Sequence, residues 1–121
     1  RHTRMVDDLM TGTGSALGRR AIELYRRLGT SPGHVAAAIA MMAHWDLKPL
    51  RQDLARLAPH LVLVAADNDR TIPPATATQV NAIVPGSEVV ALPGLGHLAH
   101  EEDPDTVAAL IRAQAARLTQ A

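Results

Sequence analysis

The chain has 121 residues, with 12 Lys+Arg, 12 Asp+Glu, no cysteine and 47% hydrophobic residues. That length and apolar content fit one domain with a real core and exclude a disordered chain. A formal net charge of zero argues against nucleic acid as a partner, because phosphate contacts need clustered excess positive charge; the missing cysteine excludes a disulfide scaffold, a thiolate zinc site and a cysteine nucleophile.

No apolar run approaches the roughly 20 residues that span a bilayer, and no signal peptide is visible. No transmembrane segment is expected, and a cysteine-free chain fits a reducing, cytoplasmic compartment. The first residue is Arg1 rather than Met, so the chain reads as cut or processed. Aromatics are nearly absent. With only Tyr25 and Trp45, the core must be built from Ala, Leu, Val, Ile and Met.

Residues 1–58 read as helices. Met5, Val6, Leu9 and Met10 share one face of a short helix, which Gly12-Thr13-Gly14-Ser15 breaks. Ala21, Leu24, Tyr25 and Leu28 mark an amphipathic helix ended by Gly29. Ser31-Pro32 is an N-cap with Pro at the first helical position. It opens an apolar helix, His34 to Ala43, with Val35, Ile39 and Met42 on one face. Asp46 can cap a further helix carrying Leu50, Leu54 and Leu57.

Residues 59–121 change character. The continuous apolar run Leu61-Val62-Leu63-Val64-Ala65 predicts a strand buried on both faces of a parallel sheet. A helix follows over Pro74 to Val84, with Ala77, Val80 and Val84 aligned. After Pro85-Gly86, Glu88 to Leu92 is a second short strand. Pro93-Gly94-Leu95-Gly96-His97 is a loop. Asp103 caps the last helix, Pro104 starts it, and Val107, Leu110, Ile111 and Leu118 form its buried stripe. The order strand–helix–strand–helix is a βαβ unit with parallel strands. Two parallel strands leave bare edges and two apolar faces, so the pattern needs more strands than the chain contains.

Loops at the carboxyl ends of parallel strands are where open α/β sheets bind ligands. The first strand ends in Asp67-Asn68-Asp69-Arg70-Thr71-Ile72-Pro73 and the second in Pro93-Gly94-Leu95-Gly96-His97. Adjacent strands bring these loops together, so a carboxylate could orient and charge-stabilise an imidazole.

Asp before His, after two late strands with a helix between, resembles the closing half of an α/β-hydrolase. Asp67 to Pro73 resembles that superfamily's acid turn, and Leu92 to His97 its histidine loop. The resemblance implies Asp69 as triad acid, in preference to Asp67, and His97 as general base. Ser31-Pro32-Gly33-His34-Val35, Met41-Met42-Ala43-His44-Trp45-Asp46-Leu47 and Leu95-Gly96-His97-Leu98-Ala99-His100-Glu101-Glu102 are together similar to one subgroup, the magnesium-chelatase accessory proteins of bacteriochlorophyll biosynthesis. By that resemblance the fold class is α/β, the carboxyl-terminal part of an α/β-hydrolase. Residues 1–45 would be a helical cap segment and residues 46–121 the carboxyl-terminal part of the core. A small-molecule substrate follows from the resemblance, with a tetrapyrrole as candidate and magnesium chelatase as candidate partner. No cofactor and no metal is implied.

A serine hydrolase needs a nucleophile on a strained strand-to-helix turn, G-x-S-x-G. Gly29-Thr30-Ser31-Pro32-Gly33 matches literally and fails physically. The segment before it is helical and arginine-rich, and Pro32 has no N–H to donate to an oxyanion. Ser31 is explained as a helix cap. The nucleophile is therefore expected upstream of Arg1, and the chain alone is expected to be inactive. A non-catalytic accessory protein binding a tetrapyrrole or magnesium chelatase is the competing reading.

Other side chains have simpler explanations. His97, His100 and Glu101 match neither H-E-x-x-H nor H-x-x-E-H. His34, His44, Met41, Met42 and Trp45 read as helix packing, with pocket lining as the alternative. Gly12 to Ser15 reads as a plain loop, with neither the preceding strand nor the following Lys of a phosphate cradle.

Overall fold

The computed structural model describes residues 2–119. Its elements run α1 (His2–Gly12), α2 (Arg19–Gly29), α3 (Pro32–Ala43), α4 (Leu50–Leu54), β1 (Val62–Ala66), α5 (Ala75–Ile83), β2 (Glu88–Leu92), α6 (Ala99–Glu102) and α7 (Pro104–Thr119). The result is a mixed α/β fold with a small parallel sheet flanked by helices, the class expected from the sequence.

The sheet is β1 beside β2, parallel, with Val62 opposite Glu88 and Ala66 opposite Leu92. Both strands are short apolar runs closed by loop residues, Asp67 after β1 and Pro93 after β2. The core lies at their carboxyl ends, where Ala66 and Leu92 meet Ala99, with Leu95, Val107 and Leu110 packed against them. Val84, only 2% exposed, anchors the end of α5, and a buried Val contributes about 1.5–3 kcal/mol relative to an exposed one.

In the helical half, α1 packs on α2, with Val6 and Met10 buried, while Met5 and Leu9 of the same expected face stay exposed. Gly29 permits that approach, since a Cβ there would meet the Val6 side chain at 2.6 Å. Asp7 and Arg26 form a bidentate ion pair across the two helices.

Four local expectations are corrected. The first strand runs Val62–Ala66 rather than 61–65, and it is not buried on both faces: Val64 is 47% exposed. The apolar run fixes the residue types but not the neighbours, and among the described residues β1 is paired only with β2. Asp46 does not cap α4. It accepts the N–H of Lys48 in a local turn, and Pro49 stands at the N-cap. A short helix, α6, intervenes before α7, and of the stripe expected to be buried on α7 only Val107 and Leu110 pack on the core, while Ile111 and Leu118 are exposed. No helix among the described residues is long and apolar enough to cross a membrane.

Candidate active site at the ends of two parallel strands

The turn after β1 is built around one carboxylate. Asp69 Oδ1 accepts the N–H groups of Thr71 and Ile72, each at 2.8 Å. Its other oxygen, Oδ2, lies 2.9 Å from Nδ1 of His97. Asp69 therefore makes an Asx turn and binds the imidazole at once. Burial pushes its carboxyl up, but the two N–H groups and the His97 imidazole outweigh this and hold it below the ordinary aspartate value. An ionised carboxylate only accepts, so Nδ1 of His97 is the donor in this bond, and in a neutral imidazole the lone pair is then on Nε2.

The loop after β2 is tied to the same turn. Asn68 donates its backbone N–H to the Leu95 carbonyl at 2.9 Å and its side-chain amide to the Gly94 carbonyl at 3.0 Å. Asp67 donates its backbone N–H to Leu92. The parallel register places these loops side by side, which is how residues far apart in sequence reach bonding distance.

A third segment completes the junction, one that periodicity alone did not mark. The Thr13 carbonyl accepts the N–H of Arg70 and the N–H of His97, each at 3.2 Å. The Thr13 side chain is buried and bonded back to Met10. Gly14 has a φ of 79° and lies against the Asn68 carbonyl, where no Cβ could fit. Its signal in the sequence was the pair Gly12 and Gly14 around one Thr, which reads as a plain loop until its partners are known.

Two open cavities touch His97. One, of about 310 Å³, lies toward α5 and is lined by Leu63, Ala65, Asp69, Ile72, Thr76 and Val80 among others. The other, of about 250 Å³, lies toward α7, with Val64, Ala66, Leu92, Val107 and Leu110 in its wall. Both cavities set an apolar wall beside one polar pair, the usual make-up of a small-molecule pocket.

Other candidates lie elsewhere. His34, His44, Met41, Met42 and Trp45 are exposed, and none lines either cavity. His44 Nδ1 lies on the Ala40 carbonyl. Ser31 stands at the N-cap of α3 with Pro32 at the first helical position, although its hydroxyl makes no capping bond. Ser15 follows α1, and Ser87 bonds Asn81 before β2. None of the chain's three serines follows a strand. His100 lies 3.8 Å from Glu101 on α6. Among the described residues no group of three or more His, Asp or Glu could hold a metal ion.

Residues 4–110 match the family described as "Alpha/beta hydrolase family". The chain is also similar to the magnesium-chelatase 30 kDa subunit of Rhodobacter capsulatus, 31% identical over 106 residues. That stretch covers 88% of this chain and 37% of the relative, so the chain spans little more than a third of the relative's length.

Proposed function

Because the chain belongs to the alpha/beta hydrolase family, we propose that it carries the acid and the base of a serine hydrolase, Asp69 and His97. The observation behind this reading is the 2.9 Å bond between Nδ1 and Oδ2 at the adjoining carboxyl ends of parallel strands. In such a pair Nε2 of His97 takes the proton from a serine hydroxyl as its oxygen attacks an ester or related carbonyl. The imidazolium then returns that proton to the leaving group. Asp69 keeps the imidazole in the needed tautomer and stabilises its charged form.

The nucleophile and the oxyanion donors are supplied by residues outside this chain. Residues 1–45 serve as a helical cap and residues 46–121 as the last part of the core, the two being joined where the Thr13 carbonyl accepts N–H groups from both loops. On this reading the 121 residues alone do not hydrolyse esters. The likeness to a magnesium-chelatase subunit makes a tetrapyrrole ester the candidate substrate and magnesium chelatase the candidate partner.

A second reading rests on the same likeness and on the three serines, none of which follows a strand. A non-catalytic accessory protein could reuse the fold to bind a tetrapyrrole or the chelatase, since fold alone does not prove catalysis. The two readings separate in the protein encoded by the complete reading frame. A hydrolase reacts with a fluorophosphonate at a serine outside residues 1–121, and His97→Ala abolishes that labelling. Porphyrin or chelatase binding without any labelling sinks the hydrolase in favour of the accessory protein.

A further inference from the structure

The backbone around His97 is held at three consecutive positions. The N–H of Gly96 goes to Glu102 Oε2 at 2.6 Å. The N–H of His97 goes to the Thr13 carbonyl at 3.2 Å. The N–H of Leu98 goes to the Ser15 hydroxyl at 2.8 Å. Glu102 joins the two ends of this assembly, because its other oxygen, Oε1, accepts the N–H of Ala16 at 2.7 Å. We infer that Glu102 is a positioning residue for His97, its carboxylate clamping the histidine loop to segment 13–16 so that the imidazole stays on Asp69.

The chemistry of the clamp requires a carboxylate. Two oxygens take two N–H groups at once, whereas a glutamine offers one oxygen and turns an N–H₂ toward the second donor. Burial pushes the Glu102 carboxyl up, but the Ala16 and Gly96 N–H groups and the Ser15 hydroxyl hold it below the ordinary glutamate value, so it is ionised at neutral pH. Helix capping does not account for it. The residue that caps α7 is Asp103, whose Oδ1 accepts the N–H of Thr106 at 3.0 Å. Fixing the backbone on both sides of a side chain is what keeps a base aimed without a search over rotamers.

The inference rests on the acid–base reading of Asp69 and His97, and the test keeps the two apart. Histidine is selectively labelled with ¹⁵N in the protein of the complete reading frame, and exchange of the Nδ1 proton of His97 with solvent is measured. In the unsubstituted protein that proton exchanges slowly, and Asp69→Asn releases it. Glu102→Gln is expected to speed its exchange about tenfold or more, the scale of one lost charge-assisted bond. Ser15→Ala, the gentler change, is expected to do so several-fold. The amides of β2 serve as the internal control and keep their exchange rates in both variants. If Nδ1 and β2 exchange accelerate in step, or if neither variant moves Nδ1, Glu102 is only a structural residue while the Asp69–His97 pair stands. If the Nδ1 proton is fast from the start or indifferent to Asp69→Asn, the pair itself fails and the positioning role falls with it.

Discussion

Gly96 and Gly14 touch backbone to backbone: a Cβ on Gly96 would lie 2.4 Å from the carbonyl carbon of Gly14. Neither chain segment can retreat cheaply, because the Thr13 carbonyl next to Gly14 accepts N–H groups from Arg70 and His97, and Gly96 is bonded to Glu102. Gly96→Ala is therefore expected to destabilise the fold by about 1–3 kcal/mol, the scale of overpacking. Gly14→Ala is expected to cost more. Its Cβ would come 1.8 Å from the Asn68 carbonyl oxygen, and its φ of 79° adds left-handed strain of about 1–2 kcal/mol. Gly18→Ala is the control, with open space around it and no positive φ. Urea unfolding of the three variants checks the order. Equal midpoints for Gly18→Ala and Gly96→Ala would sink the close contact.

The acid limb of stability should bear the mark of Asp69. Its folded-state carboxyl sits below the ordinary value of 3.8, so the unfolded chain takes up a proton at higher pH than the folded one. The stabilisation is present above 3.8 and is lost as pH falls through the folded value. Glu102 acts in the same direction, from its ordinary value of 4.5 downward. Asp69→Asn removes one of these contributions. Its destabilisation should be largest at neutral pH and should shrink as the pH falls from the ordinary value of 3.8 toward the lower folded value. Denaturant midpoints measured from neutral pH down to about 3, the acid window of such groups, test this. A destabilisation that stays constant across that range would contradict it.

Tyr25 gives a cleaner titration, being the only tyrosine in the chain. Burial and its hydrogen bond to Glu101, with that carboxylate's charge, push the phenol up to about 12. The phenol is favoured neutral in the fold, so its contribution is present below the ordinary value of 10 and is lost as pH rises toward 12. Phenolate absorbance should rise with a midpoint well above 10 while far-UV circular dichroism still reports helix. Glu101→Gln should bring the midpoint part of the way back, because burial, the larger cause, remains. A wild-type midpoint near 10 in folded protein would remove the link between α2 and α6.

The elements that were legible in the sequence are those whose signal is local. β2, α5 and α7 stand close to their expected places because turn residues and apolar spacing bound them. The proximity of the two loops that hold Asp69 and His97 was legible because each follows one of two neighbouring parallel strands. Segment 13–16 was not. Thr13, Ser15 and Ala16 act through a carbonyl, a hydroxyl and an N–H directed at residues more than fifty positions away, and no periodicity records such contacts. For α3 the sequence suggested a packed apolar helix, whereas Ile39, Met41 and Met42 remain about half exposed or more. Its composition reports a preference for burial but names no partner.

Two aspartates precede Arg70, and substitution should separate them. Asp69 reaches the imidazole and two backbone N–H groups, whereas Asp67 is exposed and joins the junction through its backbone N–H to Leu92. Asp67→Asn keeps that N–H, so it should leave the Nδ1 proton of His97 slow to exchange and change stability by less than about 0.5 kcal/mol, as surface substitutions do. Asp69→Asn places an amide where the carboxylate was. An amide that turns its N–H₂ toward His97 favours the tautomer with the proton on Nε2, which is the wrong one for a base. If the protein of the complete reading frame is the proposed hydrolase, ester turnover should then fall by about 10⁴-fold while KM moves little, because Asp69 would act on His97 rather than on bound substrate. Equal losses from the two substitutions would mean that the turn matters only as a scaffold. A loss confined to Asp67→Asn would transfer the role of the acid to that residue, and with it the geometry on which the acid–base reading rests.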